Sequence, residues 1–174
     1  MTDEEPEMSM EPTLEHRDVR HYAGIPIQVT LRDWGRANAL VPELYEWLAR
    51  NGIEPLGGPV YRYRSIGDEA RPFDLEVGVP VAAPVTGDGR VEAGTLPAGQ
   101  YAVMIHHGHP DQLGKSHAAL QQWVEERGLA PGKTGEGPAE VWTARYETYL
   151  TDPAEQPDLA QWSTEIAYLV DETP

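Results

Sequence analysis

The stretch Leu44-x-x-Trp47-Leu48-x-x-x-Gly52-Ile53-x-Pro55 recurs 76 residues later, position 47 matching position 123, as Leu120-x-x-Trp123-Val124-x-x-x-Gly128-Leu129-x-Pro131. Each copy places apolar residues on one helix face and a glycine where the helix ends. Six positions match with a single offset. The repeat therefore predicts an internal duplication with one amphipathic helix in each half.

Strand signals surround both helices in the same order. The first half has a predicted strand at residues 14–29, broken near residues 24–26 because proline disfavours a sheet interior, and a helix at 33–51 with Asp33 as its N-cap. The second helix is predicted at 113–127. Further strands are predicted at residues 59–64, 73–81, 100–107, 139–150 and 162–169.

The order strand, helix, strand, strand, given twice, predicts an α+β fold. Its duplicated modules form antiparallel sheets, with a groove between halves related by a pseudo-twofold axis. We expect one domain from 14 to 174, with half 1 at about 14–82 and half 2 at about 94–170. Residues 1–13 are predicted to be a disordered acidic tail, since the first 15 residues hold six acids and no Lys or Arg.

Composition narrows the classes of partner. Thirteen Lys and Arg against 29 Asp and Glu give a formal net charge of −16, which repels phosphate backbones and anionic membranes and attracts cations. The absence of Cys removes disulfides and thiolate metal sites. We expect a cytoplasmic protein without cofactor, nucleic-acid partner or membrane partner. Because only the predicted tail lies outside the predicted domain, we expect no helix-turn-helix module. A complete transcription regulator is therefore not expected.

Three glutamates are candidate ligand-binding residues. If apolar residues of strand 73–81 face the helices, Glu76 faces the other way, toward the predicted groove. Glu165 is its counterpart, because Trp162-x-x-Glu165-Ile166 echoes Phe73-x-x-Glu76-Val77. Glu147 shares a face with Arg145 and Tyr149 if Trp142 and Tyr146 pack inward. The alternative for each acid is a solvated residue on an open sheet face, whereas convergence of the three would favour an organic cation.

The aromatic side chains divide by pattern. Trp47 and Trp123 occupy the same helical position in the two repeats, which predicts core packing. Trp34, Trp142 and Trp162 are less constrained, and we consider them candidates for lining the groove, with a core role as the alternative for each.

Tyr63 and His106 complete the candidate ligand-binding set. Tyr63 lies in an alternating strand whose facing the pattern leaves open. The cluster His106-His107-x-His109 resembles a metal site, yet adjacent strand residues point to opposite faces, so only His106 could join a ligand set. No metal is predicted, and the alternative for the cluster is a strand-to-helix turn at 108–110.

Five segments resemble the GyrI-like family, which includes the effector-binding domains of AraC-type and MerR-type regulators such as Rob and BmrR. The segments are DLEVGVPV (74–81), GTLPAGQYA (94–102), HHGHPD (106–111), ETYLTDP (147–153) and WSTEI (162–166). The resemblance implies a duplicated α+β fold with a ligand groove. It also implies that Glu147 lies in a drug pocket accompanied by Tyr149. Relatives tend to have Gly-Pro-Tyr where this chain has Gly108-His109-Pro110, so ligand preference is expected to differ.

Three functions remain open at this point. The first is binding or sensing of hydrophobic, often cationic small molecules, as in multidrug-binding proteins. The second, also implied by the resemblance, is hydrolysis of cyclopropane-bearing alkylating natural products in an aromatic cage, with Glu147 and Glu165 as catalytic acids or bases. The third is interaction with DNA gyrase, since an acidic surface can mimic DNA.

Overall fold

The computed structural model describes residues 11–65, 70–135 and 140–171 of the 174-residue chain. The helices are α1 (Gly35–Asn38), α2 (Leu40–Arg50) and α3 (Leu113–Glu126), with short 3-10 helices at Pro110–Gln112 and Leu159–Gln161. The strands are β1 (Thr13–Arg17), β2 (Arg20–Val29), β3 (Val60–Tyr63), β4 (Phe73–Val81), β5 (Glu92–Leu96), β6 (Gly99–His107), β7 (Ala130–Pro131), β8 (Lys133–Thr134), β9 (Val141–Trp142), β10 (Arg145–Tyr149) and β11 (Ser163–Asp171).

One curled antiparallel sheet dominates the fold, with the strand order β1-β6-β11-β10-β3-β4-β2-β5. The order is symmetric about its centre: β10 corresponds to β3, β11 to β4, β6 to β2 and β1 to β5. This arrangement confirms the duplicated α+β fold. The two halves join edge to edge through β3 and β10, where Glu147 pairs with Tyr61, and so share one sheet. The short strands β8 and β9 form a separate pair.

Helices α2 and α3 cover the same face of this sheet, one on each half. Leu44, Trp47 and Leu48 pack against β4 in the first core cluster, and Leu120 and Val124 pack against β6 and β11 in the second. These are the positions that the repeat matches. The core prediction is confirmed for Trp47, which is buried, whereas Trp123 is half-buried and packs against the second cluster from outside it.

The opposite face of the sheet is built around Tyr22. Its ring lies over Gly24 on the same strand and over Gly78 and Gly94 on the neighbouring strands β4 and β5, where an added Cβ would stand 2.9, 2.5 and 2.2 Å from ring atoms. The Tyr22 hydroxyl donates a hydrogen bond to the buried Glu76 carboxylate. Burial and the neighbouring Glu76 raise the pKa of Tyr22 to about 12. This face is therefore filled by a packed ring and a polar network.

Several predicted boundaries are wrong. The first strand breaks at residues 18–19 rather than 24–26. Pro26 is accommodated inside β2 because β5 pairs only with Arg20 to Gly24, leaving Pro26 beyond its end. The Asp33 carboxylate accepts a hydrogen bond from the Thr30 backbone N–H at 2.6 Å rather than capping a helix. Residues 1–10 of the predicted tail lie outside the described residues, and Thr13 already belongs to β1.

Candidate functional site

A groove crosses the helix side of the sheet above the β3–β10 junction. It consists of two adjoining cavities, of about 970 and about 730 Å³, within the size range of small-molecule sites. Helices α1 and α2 flank it on one side and α3 on the other. Both cavities share Trp34, Pro110, Asp111 and Tyr149; the first also includes Tyr45, Tyr61, Asp152, Leu159 and Trp162, and the second includes Tyr63, Phe73, His117, Arg145 and Glu147.

Trp34 organises one wall of the groove. Its ring stacks on Tyr61, Tyr63 and Phe73 with centroid distances of 5.5, 6.1 and 6.0 Å. Trp34 is only half-buried, so part of its ring remains available to a ligand. The wall is therefore a preorganised aromatic surface.

Tyr149 connects the aromatic surface around Trp34 to Trp162. Its ring lies 5.0 Å from Tyr61 and 6.2 Å, edge-on, from Trp162. Trp162 is held in place by its indole N–H, which donates to the Gln156 carbonyl at 2.8 Å. The sequence-predicted residues Trp34, Tyr63, Tyr149 and Trp162 are thus brought together around one groove.

Glu147 lies at the floor of the second cavity and is only 2% exposed. Its Oε2 is 2.8 Å from Nε2 of His117 on α3, and the Tyr149 hydroxyl approaches Oε1 at 3.5 Å. Burial, and then the Glu147 charge, raise the pKa values of Tyr63 and Tyr149 well above the ordinary tyrosine range. Both phenols therefore remain protonated near neutral pH and can donate toward the carboxylate.

Arg145 lies beside Glu147 on the same strand face, together with Tyr149, as alternation along β10 predicts. Its guanidinium lies 4.7 Å from the Trp142 ring centroid and 5.9 Å from that of Tyr63. Burial lowers the pKa of Arg145 from its ordinary value. The floor of the groove thus carries one carboxylate and one guanidinium, on residues two positions apart.

Glu76 and Glu165 lie on the other face of the sheet. Glu76 accepts hydrogen bonds from Tyr22 and from Arg64 at 3.1 Å, and Glu165 accepts two from Arg17 at 2.9 and 3.0 Å. Glu147 pairs with Ile166 across β10 and β11, so the adjacent Glu165 must point away from the groove. The predicted convergence of the three glutamates is therefore wrong.

Trp142 and His106 lie outside the groove lining. Trp142 is buried under Arg145 and donates its indole N–H to Glu140 at 3.0 Å. His106 is buried, with Nε2 3.1 Å from the His109 carbonyl and Nδ1 2.7 Å from the Ser116 hydroxyl. Because a carbonyl only accepts, Nε2 donates to His109. The structural alternative for the histidine cluster, a strand-to-helix turn, fits this arrangement.

Sequence reasoning missed His117 as a site residue. Its spacing from Leu113 and Leu120 places it on the buried face of α3, where a polar side chain requires a partner. A histidine at a buried helical position was therefore the feature of the sequence that could have identified it. Within residues 11–65, 70–135 and 140–171, His, Asp and Glu side chains form no cluster of three suited to a metal ion. No helix in these ranges is long and apolar enough to cross a bilayer.

An aromatic groove on the helix side of a duplicated antiparallel sheet defines a small-molecule-binding module. The chain belongs to the GyrI-like family, since the family described as GyrI-like small molecule binding domain matches residues 10–170. No curated protein has a sequence that matches this chain.

Solved structures share the fold at low sequence identity. The EcmrR C-terminal domain has a TM-score of 0.74 and 20% identity, covering 94% of this chain and 98% of that one. In the EcmrR–DNA complex the match spans 58% of the EcmrR chain. A hydrolase from Listeria innocua has a TM-score of 0.58 and 13% identity, covering 92% of both chains. SAV2435 bound to tetraphenylphosphonium has a TM-score of 0.57 and 15% identity, covering 93% of this chain and 94% of that one.

Proposed function

We propose that this protein binds lipophilic, often cationic, aromatic small molecules in the groove, as a multidrug-binding or sensing protein does. The main support is the position of Glu147, whose carboxylate is only 2% exposed and lies at the floor of a cavity lined by aromatic rings. A carboxylate in such a medium attracts an organic cation more strongly than one in water does. Asp111 and Asp152 on the lining add negative charge.

The rings supply the remaining affinity. A cation placed over an aromatic ring gains roughly 0.5–2 kcal/mol, and apolar burial adds about 25 cal/mol per Å². A ligand in contact with Trp34 and Tyr149 draws on both effects. Together they are sufficient for micromolar binding, which requires about −8 kcal/mol.

Tetraphenylphosphonium is a suitable first probe, because it is a lipophilic aromatic cation and SAV2435 was solved bound to it. Calorimetric titration should give micromolar affinity for the wild-type chain. Glu147→Gln should weaken binding about tenfold, corresponding to about 1.4 kcal/mol of lost charge attraction. Glu126→Gln, an equal charge change at an exposed position on α3, should leave affinity unchanged.

Two results would count against the proposal. One is a lack of binding by tetraphenylphosphonium and by a wider panel of rhodamine-like cations. The other is equal weakening by Glu147→Gln and Glu126→Gln, since it would assign the effect to net charge rather than to the groove.

A second candidate function is hydrolysis of cyclopropane-bearing alkylating compounds. The contact of Glu147 with His117 favours it, because a buried carboxylate held by an imidazole can act as general base toward a water that opens the strained ring. Glu165, on the other sheet face, has no part in this proposal. Mass spectrometry after incubation should detect the ring-opened water adduct, and Glu147→Gln should abolish it while ligand binding persists. Unchanged compound after long incubation with the wild type would reject this function for the compounds tested.

A further inference from the structure

The guanidinium of Arg145 differs in its contacts from those of the buried Arg62 and the half-buried Arg17. Arg62 donates to the carbonyls of Thr95 and Thr143, and Arg17 pairs with Glu165. In the described ranges, by contrast, the guanidinium of Arg145 forms no hydrogen bond and no ion pair within 4.0 Å. Its Nε is buried without a partner, as that of Arg62 is, but Arg62 bonds through its other two nitrogens. Arg145 also lines the second cavity of the groove.

Aromatic rings hold Arg145 in place. The guanidinium lies 4.7 Å from the centroid of Trp142 and 5.9 Å from that of Tyr63. Ring faces orient the guanidinium plane without occupying its N–H donors, which remain free for a planar acceptor. Trp142 is itself fixed by its bond to Glu140, so the orientation of the guanidinium is preset.

We propose that Arg145 is a specificity-determining residue that binds a carboxylate of the ligand. The preferred ligand is then an aromatic cation that also carries an acid group. The inference rests on the proposed function, with Glu147 and the rings receiving the cationic part. Arg145 and Glu147 are two residues apart on one strand face, so the two ligand charges would be spaced by roughly 7 Å.

The chemistry favours a carboxylate for two reasons. A guanidinium binds the two oxygens of a carboxylate in a fork, which adds geometric selectivity to charge attraction. A buried cation without a hydrogen-bonded anion is also costly, so an anionic group gains more here than at an exposed arginine. A purely structural arginine would be expected to bond carbonyls, as Arg62 does.

Rhodamine B and its ethyl ester provide the test, since they share the cationic ring system and differ in the free carboxylate. Fluorescence titration of the wild-type protein at neutral pH should give about tenfold tighter binding of rhodamine B. Arg145→Gln should abolish this preference with little change in affinity for the ester. Arg127→Gln is the matched control, because Arg127 also stacks on a tryptophan, 4.2 Å from Trp123, outside the groove lining.

Each outcome decides between the claims. Equal micromolar binding of both dyes by the wild type overturns the inference and leaves the proposed function intact. Binding of neither dye contradicts the proposed function and the inference together. If Arg145→Gln fails to fold, the wild-type preference decides alone. A preference that Arg145→Gln and Arg127→Gln reduce equally also overturns the assignment to Arg145.

Discussion

Nε2 of His117 lies 2.8 Å from Oε2 of Glu147, and this contact connects helix α3 to strand β10 beneath the groove. Both side chains are buried, with 8% and 2% of their residue surfaces exposed. Nδ1 of His117 is buried without a hydrogen-bond partner in the described part of the chain. The imidazole therefore interacts through Nε2, and its contact with Glu147 links the packing of α3 to the carboxylate at the groove floor.

A double-mutant cycle should reveal this coupling. His117→Ala and Glu147→Gln are each expected to lower the free energy of unfolding, because each leaves a buried polar partner unsatisfied. The double variant should lose less than the sum, with a coupling of about 1–3 kcal/mol by urea denaturation at pH 7. His117→Ala combined with Glu76→Gln, on the other sheet face, should be additive within about 0.5 kcal/mol. Additivity in the first cycle would contradict a direct interaction.

Trp34→Ala should weaken ligand binding about 5- to 30-fold, since the ring offers roughly 1–2 kcal/mol of contact to a cation. Trp123→Ala removes another half-buried tryptophan, one that belongs to α3 and packs against the second core cluster, outside the groove lining. Both variants should melt earlier than the wild type. Only Trp34→Ala should lower affinity in a tetraphenylphosphonium titration, and a comparable loss in both would assign the effect to general destabilisation.

Gly94→Ala should destabilise the protein by about 1–3 kcal/mol through overpacking. Its Cβ would lie 2.2 Å from Cζ of Tyr22, whose ring is buried and whose hydroxyl is bonded to Glu76, so the ring has little room to move. Gly114→Ala on α3 meets nothing within 4 Å and should instead stabilise by about 0.5–1 kcal/mol. Thermal melting checks both, and equal behaviour of the two variants would contradict the packing described for Tyr22.

Stability should fall as pH rises above 10. Burial raises the pKa values of Tyr22 and Tyr101 from the ordinary 10.0 to about 12 in the folded protein. Between these pH values the unfolded chain loses phenolic protons that the folded chain keeps, so the stabilisation is complete below pH 10 and disappears toward pH 12. Tyrosinate absorbance should therefore appear together with loss of circular dichroism. Ionisation of most tyrosines near pH 10 in a folded chain would contradict the burial.

Sequence patterns predicted much of the architecture because they report local periodicity. The repeat at Trp47 and Trp123 identified both helices and the duplication. Alternation correctly grouped Arg145, Glu147 and Tyr149 on one face, but the expectation that Trp142 packs with Tyr146 is wrong, since Trp142 lies against Arg145 and α3 and Tyr146 packs in another cluster. Alternation also correctly set Glu76 opposite the apolar residues of β4. These inferences need only the spacing of side chains along one element.

The position of the groove could not be predicted in this way, because it depends on long-range pairing. The expectation that Glu76 faces the groove assumed a site on the face away from the helices, whereas the cavity lies between them. Only the register of β10 with β11 separates Glu147 from Glu165. The His117–Glu147 contact likewise joins residues 30 positions apart in the chain.

A crystal structure of the protein with tetraphenylphosphonium would show whether the groove is the binding site. We expect ligand density above the β3–β10 junction, with phenyl rings against Trp34 and Tyr149 and the phosphonium on the side of Glu147. Ligand bound at saturation anywhere other than this groove, such as on the Tyr22 face of the sheet, would rule out the groove as the binding site.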